Sequence, residues 1–105
     1  MDRIEELRKA LEKNPNNPLG LYGLALELYK AGKYEESIVE FKKYLNLYED
    51  QGAAYRTLAQ CYLNLGDIEN AIESYERGIE KALKFNHPTM AQEFKEEIER
   101  LKQML

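Results

Sequence analysis

The chain has one cysteine, one histidine and three prolines in 105 residues. It also has no long apolar run, and each scarcity excludes something. A single cysteine, Cys61, cannot close an intrachain disulfide or build a cysteine-based metal site. It falls in a helical pattern without a histidine or asparagine partner, so it is expected to be a small apolar filler rather than a nucleophile. His87 cannot form a zinc site by itself, and it precedes Pro88 where a cap or turn residue is expected. No stretch approaches the roughly 18 consecutive apolar residues of a membrane-spanning helix. The amino end, MDRIEELRK, is charged throughout, unlike a secretory leader. There is no glycine-rich phosphate loop, no Ser/His/Asp set, and no carboxylate pair set apart by an apolar wall. Clean strand alternation is absent too, and Val39 and Thr57 both sit in helical patterns. Finally, a net charge of −4 and a pI near 5.1 argue against a nucleic-acid backbone as partner.

What is present is a globular balance: 44% apolar and 32% charged residues. A mass of 12.3 kDa suits one domain. A compact chain of that mass buries roughly 66% of its unfolded surface. Apolar residues recur at spacings of three and four nearly everywhere. The breakers are Asn14-Pro15-Asn16-Asn17-Pro18, Gly32, Gly52, Gly66 and Asn86-His87-Pro88. They predict six helices, over 2–13, 18–30, 35–48, 53–64, 68–85 and 88–104. Asn17 and Asp67 read as N-caps and Pro18 and Pro88 as first helical residues. Gly32 and Gly66 suit the left-handed residue that ends a helix. Short loops make consecutive helices fold back as antiparallel hairpins.

Those two glycines stand 34 residues apart, and the offset recurs. It relates Leu24 to Leu58, Ala25 to Ala59, Glu35 to Glu69 and Ile38 to Ile72. It also relates Phe41 to Tyr75, Ser37 to Ala71 and Leu45 to Ile79, and carries Ile4, Leu7 and Leu11 onto Ile38, Phe41 and Leu45. The first helix is therefore the second half of a repeat. This period of helix pairs resembles the tetratricopeptide repeat family. The pattern is carried by Leu21, Leu24, Ala25, Leu28, Gly32, Tyr34, Ser37, Phe41 and Leu45 in residues 18–51, and by Tyr55, Leu58, Ala59, Tyr62, Gly66, Ile68, Ala71 and Tyr75 in residues 52–85. Tyr44 and Gly78 depart from it, each standing where the family has alanine. Glu49 and Leu83 replace its closing prolines, so the fifth helix is expected to run on to Phe85.

The resemblance implies an all-α, right-handed α-solenoid of antiparallel helix hairpins: a half repeat (2–17), repeats at 18–51 and 52–85, and a C-terminal capping helix (86–105). It implies a concave groove lined by the first helix of each repeat and no chemistry. Arg56, Thr57, Gln60 and Asn64 form a polar stripe on the fourth helix. The equivalent stripe on the second helix is apolar, with Tyr22, Leu26 and Tyr29 at i, i+4 and i+7. The expected groove comprises Tyr22, Leu26, Tyr29, Lys30, Arg56, Gln60, Leu63 and Asn64, and would take an amphipathic helix or extended apolar peptide. The apolar strip could instead be covered, by the last helix or by another copy. The carboxylate grip of many family members is not expected, because Tyr22, Leu26 and Thr57 occupy places where it needs lysine and asparagines.

Two further patterns concern the ends of the chain. Ile4, Leu7 and Leu11 on the first helix, and Phe94, Ile98 and Leu101 within a stripe from Met90 to Leu105 on the last, are candidates for self-association, with packing of the last stripe on helix 68–85 the alternative expected for that helix. Exposed carboxylates alternate with Lys and Arg at helical spacing, pairing residues such as Glu96 and Arg100. The function expected from all this is a cytoplasmic, non-catalytic module that binds a protein or peptide. It needs no cofactor or metal and binds no nucleic acid or membrane interior. The alternatives are an assembly unit that forms homo-oligomers, or a chaperone-like holder of an apolar segment of a secretion or pilus component.

Overall fold

The computed structural model describes residues 2–105. Among these residues it contains six helices and no strand. They are α1 (Arg3–Lys13), α2 (Pro18–Lys30), α3 (Tyr34–Leu47), α4 (Ala53–Asn64), α5 (Ile68–Lys84) and α6 (Pro88–Lys102). The helices fall within two residues of their predicted bounds. They group into two compact units, one ending at Glu49 and holding α1–α3, the other running Asp50–Leu105 and holding α4–α6.

The end signals act as the sequence implies. The Asn17 side chain accepts from the amide of Gly20, and Pro18 follows as the first helical residue. Asp67 likewise accepts from the Asn70 amide at the start of α5. Gly32 and Gly66 have φ of +76° and +77°. In each case the next residue's N–H reaches back five residues in a Schellman closure, from Lys33 to the Leu28 carbonyl and from Asp67 to that of Tyr62. Asn86 closes α5 in the same way at φ +62°, with His87 N–H donating to the Ala82 carbonyl. Asparagine tolerates that conformation better than other residues bearing a Cβ.

In the first unit α2 packs on both α1 and α3. Leu7 of α1 meets Leu24 and Leu28 of α2, flanked by the partly buried Ile4 and Leu11. Ala25 is fully buried, and its small side chain leaves room for the Ser37 hydroxyl, which donates to the Ala25 carbonyl at 2.7 Å. Arg8 and Glu36 pair across α1 and α3 at 2.9 Å, both half-exposed. The Tyr48 hydroxyl donates to the Asn16 carbonyl and ties the end of α3 to the α1–α2 turn.

In the second unit α5 packs on both α4 and α6. Buried Asp50 accepts at one carboxylate oxygen from the amides of Gly52 and Ala54, at 2.8 and 2.9 Å, and so supplies the cap that Gly52 cannot. Phe94 of α6 lies against Gly78 of α5, a contact that alanine's Cβ would obstruct.

That packing decides between the two expectations for the α6 stripe, against self-association through Phe94, Ile98 and Leu101. Phe94, Ile98 and Leu101 are 1%, 6% and 1% exposed. Phe94, Ile98 and Leu101 of the α6 seam are therefore core within their own unit. On the opposite face lie exposed residues such as Glu93, Lys95, Glu96, Glu99 and Arg100. The Arg100 ion pair also forms with Glu97, not with the expected Glu96, which meets the Gln92 amide instead.

Candidate peptide-binding faces of the first helices

α2 turns Leu21, Leu24, Ala25 and Leu28 inward. Tyr22, Leu26 and Tyr29 then fall on the other side, where each is half-buried. Neighbouring aromatic residues of the same unit account for much of that burial. The Tyr22 ring stands edge-on to Phe41 at 5.8 Å and to Tyr44 at 5.2 Å, and Tyr44 continues to Tyr48 at 5.9 Å. Tyr29 leans on Tyr34 at 5.9 Å. The strip is thus partly covered by aromatic side chains from α3 and its C-terminal cap. Edge-to-face pairs of this kind add about 0.5–1.5 kcal/mol beyond their burial, so Tyr22 has a structural role as well as an exposed flank. Lys30, at the end of α2, lies 3.9 Å from Glu27 and is largely solvated.

On α4 the stripe is less open than its polarity implies. Arg56 pairs with Glu93 of α6 at 2.8 Å, and its guanidinium sits 5.2 Å from the centre of the Phe94 ring. Gln60 donates from Nε2 to the Tyr75 hydroxyl of α5 at 3.0 Å. Asn64 is exposed and turns its amide back onto the Gln60 carbonyl, while Leu63 and Thr57 are half-buried. Between these side chains and α6 lies a cleft of about 280 Å³, walled by Arg56, Gln60, Tyr75, Phe94 and the carboxylates of Glu93, Glu96 and Glu97. Burial pushes the Tyr75 hydroxyl above its usual pKa, with the Gln60 hydrogen bond pulling the other way. Tyr75 is therefore a neutral hydroxyl near pH 7 and offers the cleft polarity without charge.

The sequence pattern named Arg56 and Gln60 but not the residues that hold them. Tyr75 was visible only as a core position matching Phe41, and Glu93 only as one of many surface carboxylates. Gly78 carried the missed signal. A glycine in mid-helix costs about 1 kcal/mol relative to alanine, and close packing against that position can offset it.

Helix pairs of this period, with buried alanines at the crossing, have a known kin. Two family models described as tetratricopeptide repeat match residues 28–91 and 6–39. The chain belongs to the tetratricopeptide repeat family. Among proteins with tetratricopeptide repeats it is similar to the small glutamine-rich tetratricopeptide repeat-containing protein 2 of Mycosarcoma maydis, 30% identical over 77 residues, or 73% of this chain and 22% of that protein. It is also similar to anaphase-promoting complex subunit 3 of Dictyostelium discoideum, 24% identical over 79 residues, or 75% of this chain and 8% of that one. The chain thus spans under a quarter of each of these relatives. The solution structure of protein BPP2914 from Bordetella parapertussis shares the fold at a TM-score of 0.82 and 17% identity, covering 99% of this chain and 90% of that one. The fold is therefore an all-α tetratricopeptide repeat fold of the helical-solenoid class. Tetratricopeptide repeat domains are generally protein-interaction modules. No helix among the described residues is long and apolar enough to cross a membrane.

Proposed function

We propose that this chain is a non-catalytic interaction module that binds a peptide or a partner helix on the outward face of the first helix of a repeat, α2 in the first unit and α4 in the second, each face taken by itself. The observation that carries the reading is the half-exposed row Tyr22, Leu26 and Tyr29 on α2. Globular helices of this length bury most of their large apolar residues, and a row at i, i+4 and i+7 matches the stripe of an incoming amphipathic segment. Tyrosine suits such a face, because it offers wide contact at low entropy with a polar tip. On the α2 face Lys30 supplies a polar contact that sets orientation, and on the α4 face Arg56, Gln60, Leu63 and Asn64 supply the polar and edge contacts. The ligand is a protein segment, and the module works in the cytoplasm.

Amide-resolved NMR titration with a short amphipathic peptide, leucine at i, i+4 and i+7 and glutamine between, tests this. Shifts are expected on α2, and a Leu26→Glu, Tyr29→Glu protein that keeps its helical circular dichroism should lose them, while shifts on α4 report the face of the second unit by itself. Tyr22 is left intact in that variant because its ring is packed on Phe41 and Tyr44. Peptide shifts confined to other helices would overturn the reading.

A second reading, self-association through α1, is favoured by one observation. Leu7, Ala10, Leu11, Leu19 and Gly20 line an apolar recess of about 240 Å³, with Leu19 82% exposed at its edge. Sedimentation velocity over a dilution series should then show a mass that falls on dilution, and Leu19→Glu should hold the protein monomeric. A constant monomer mass rules that reading out.

A further inference from the structure

We propose that Glu93 on α6 is a charge lock that decides which ligands the α4 face accepts, an inference that rests on the binding role proposed above. Arg56 is the only cation on the polar stripe of α4, and so the natural receptor for a carboxylate on a bound peptide. In this structure that receptor is already engaged. A guanidinium nitrogen of Arg56 meets the Glu93 carboxylate at 2.8 Å, and the guanidinium lies 5.2 Å from the centre of the Phe94 ring. Phe94 is fully buried and follows Glu93 directly in the helix, so the core that fixes Phe94 also keeps Glu93 beside Arg56. Glu93 therefore stands in for a ligand carboxylate.

The surroundings work in the same direction. Glu96 and Glu97 line the same cleft, with Glu97 paired to Arg100 and Glu96 meeting only a neutral amide. An incoming carboxylate must displace Glu93 and sit among these like charges. A neutral peptide displaces nothing and keeps Gln60 and Tyr75 as polar contacts. The face is thus selective against acidic segments, although it carries an arginine where an acidic ligand would need one. Removing the Glu93 charge frees Arg56 and reverses that preference.

The test uses the leucine-patterned peptide of the previous section in two forms, one with glutamine and one with glutamate at the intervening positions. Affinities are measured by fluorescence anisotropy at low salt, where exposed charges are least screened. Wild type should prefer the glutamine peptide. Glu93→Gln should tighten the glutamate peptide by about threefold to fivefold, the range of a half-exposed ion pair, and leave the glutamine peptide nearly unchanged. Adding Arg56→Gln to that variant should erase the gain, which separates release of Arg56 from the mere loss of a negative charge. A Glu93→Gln protein that discriminates between the peptides as wild type does overturns the lock, and so does a gain that survives Arg56→Gln. A separate readout needs no peptide. The Arg56 side-chain N–H resonances of the unliganded protein should report hindered rotation in wild type and fast averaging in Glu93→Gln. Fast averaging in wild type refutes the lock even if both peptides bind. Hindered rotation with no binding of either peptide instead refutes the binding role, and the lock falls with it.

Discussion

Replacing Gly78 with alanine tests directly how the second unit is built. Gly78 lies inside α5, where alanine favours the helix by about 1 kcal/mol. A Cβ built there would lie 2.7 and 2.9 Å from two ring carbons of Phe94 and 3.0 Å from the Tyr55 Cβ. The Phe94 ring cannot easily retreat, because it is 1% exposed and packs on Tyr75 at 5.1 Å between ring centres. On the other side the Tyr55 Cβ is fixed to the backbone of α4, so relief there needs α4 and α5 to part. Overpacking of this kind costs about 1–3 kcal/mol. Contacts under 3.0 Å to a ring that cannot retreat put the cost in the upper part of that range, about 2–3 kcal/mol, and setting the helix gain against it leaves a net loss of about 1–2 kcal/mol. At about 4–8 °C for each kcal/mol, the thermal midpoint should fall by roughly 4–16 °C. Gly23→Ala is the matched control, since it too is a glycine within a helix. There the nearest foreign atom to a new Cβ is a mobile methyl carbon of Leu7 at 3.4 Å. That protein should melt a few degrees above wild type, with a gain of about 0.5–1 kcal/mol. Circular-dichroism melts of the two variants decide the matter. A Gly78→Ala protein at or above the wild-type midpoint would refute the packing argument, as would two shifts of the same sign.

Other positions give sharper single outcomes. Asp50→Ala should lower stability by about 1–2 kcal/mol in urea titration, because two amides at the start of α4 lose a buried carboxylate partner. Ser37→Ala should cost about 0.5–1.5 kcal/mol through loss of the bond to the Ala25 carbonyl, and no more, because Ala71 fills the matching place in the other repeat. Hydrogen bonds from Asn70, the side-chain bond first and then the backbone one, hold the Asp67 carboxyl below its ordinary pKa. Since the folded pKa is the lower one, the contribution is whole above the unfolded carboxyl range and fades as pH falls through the folded value. NMR titration should place Asp67 below a model aspartate, and Asn70→Ala should return it toward the usual value.

Much of the fold was legible because local and repeat signals coincided. The Gly32 and Gly66 closures, the Asn17 and Asp67 caps and the Pro18 and Pro88 starts each fix a boundary through one backbone group, and a single sequence displays such groups openly. The inward residues of α2 and α4 were legible for the same reason, since the 34-residue offset repeats them. The face of each first helix was harder to read. Its exposure depends on what neighbouring helices place over it, and those partners lie far away in the sequence. Whether the Tyr22 strip is open or covered stays undecided in the sequence because nothing near it in the chain announces Tyr44. The partner of Arg56 is hidden from the local pattern because Glu93 stands 37 residues away. The α6 stripe read as a seam in search of a partner, whereas its partner was a glycine.

The two departures from the repeat pattern are best understood together. Tyr44 and Gly78 occupy the same position 34 residues apart, as do Tyr22 and Arg56. In the first unit Tyr44 supplies a ring that meets Tyr22 at 5.2 Å. In the second unit the matching residue, Gly78, supplies nothing, and Phe94 enters the space it leaves, with Arg56 at 5.2 Å from its centre. Each first helix therefore meets an aromatic ring at this position, one contributed by the second helix of its own repeat and the other by α6. Phe94→Ala should accordingly affect the unit in two ways. It removes a fully buried ring, at a cost of about 3–5 kcal/mol, and it takes away the surface against which Arg56 is held. Gly78→Ala combined with Phe94→Leu should recover part of the loss seen with Gly78→Ala alone, because the smaller side chain yields the space that the new methyl needs. Additive melting shifts in that pair would mean that the glycine and the ring do not share one volume.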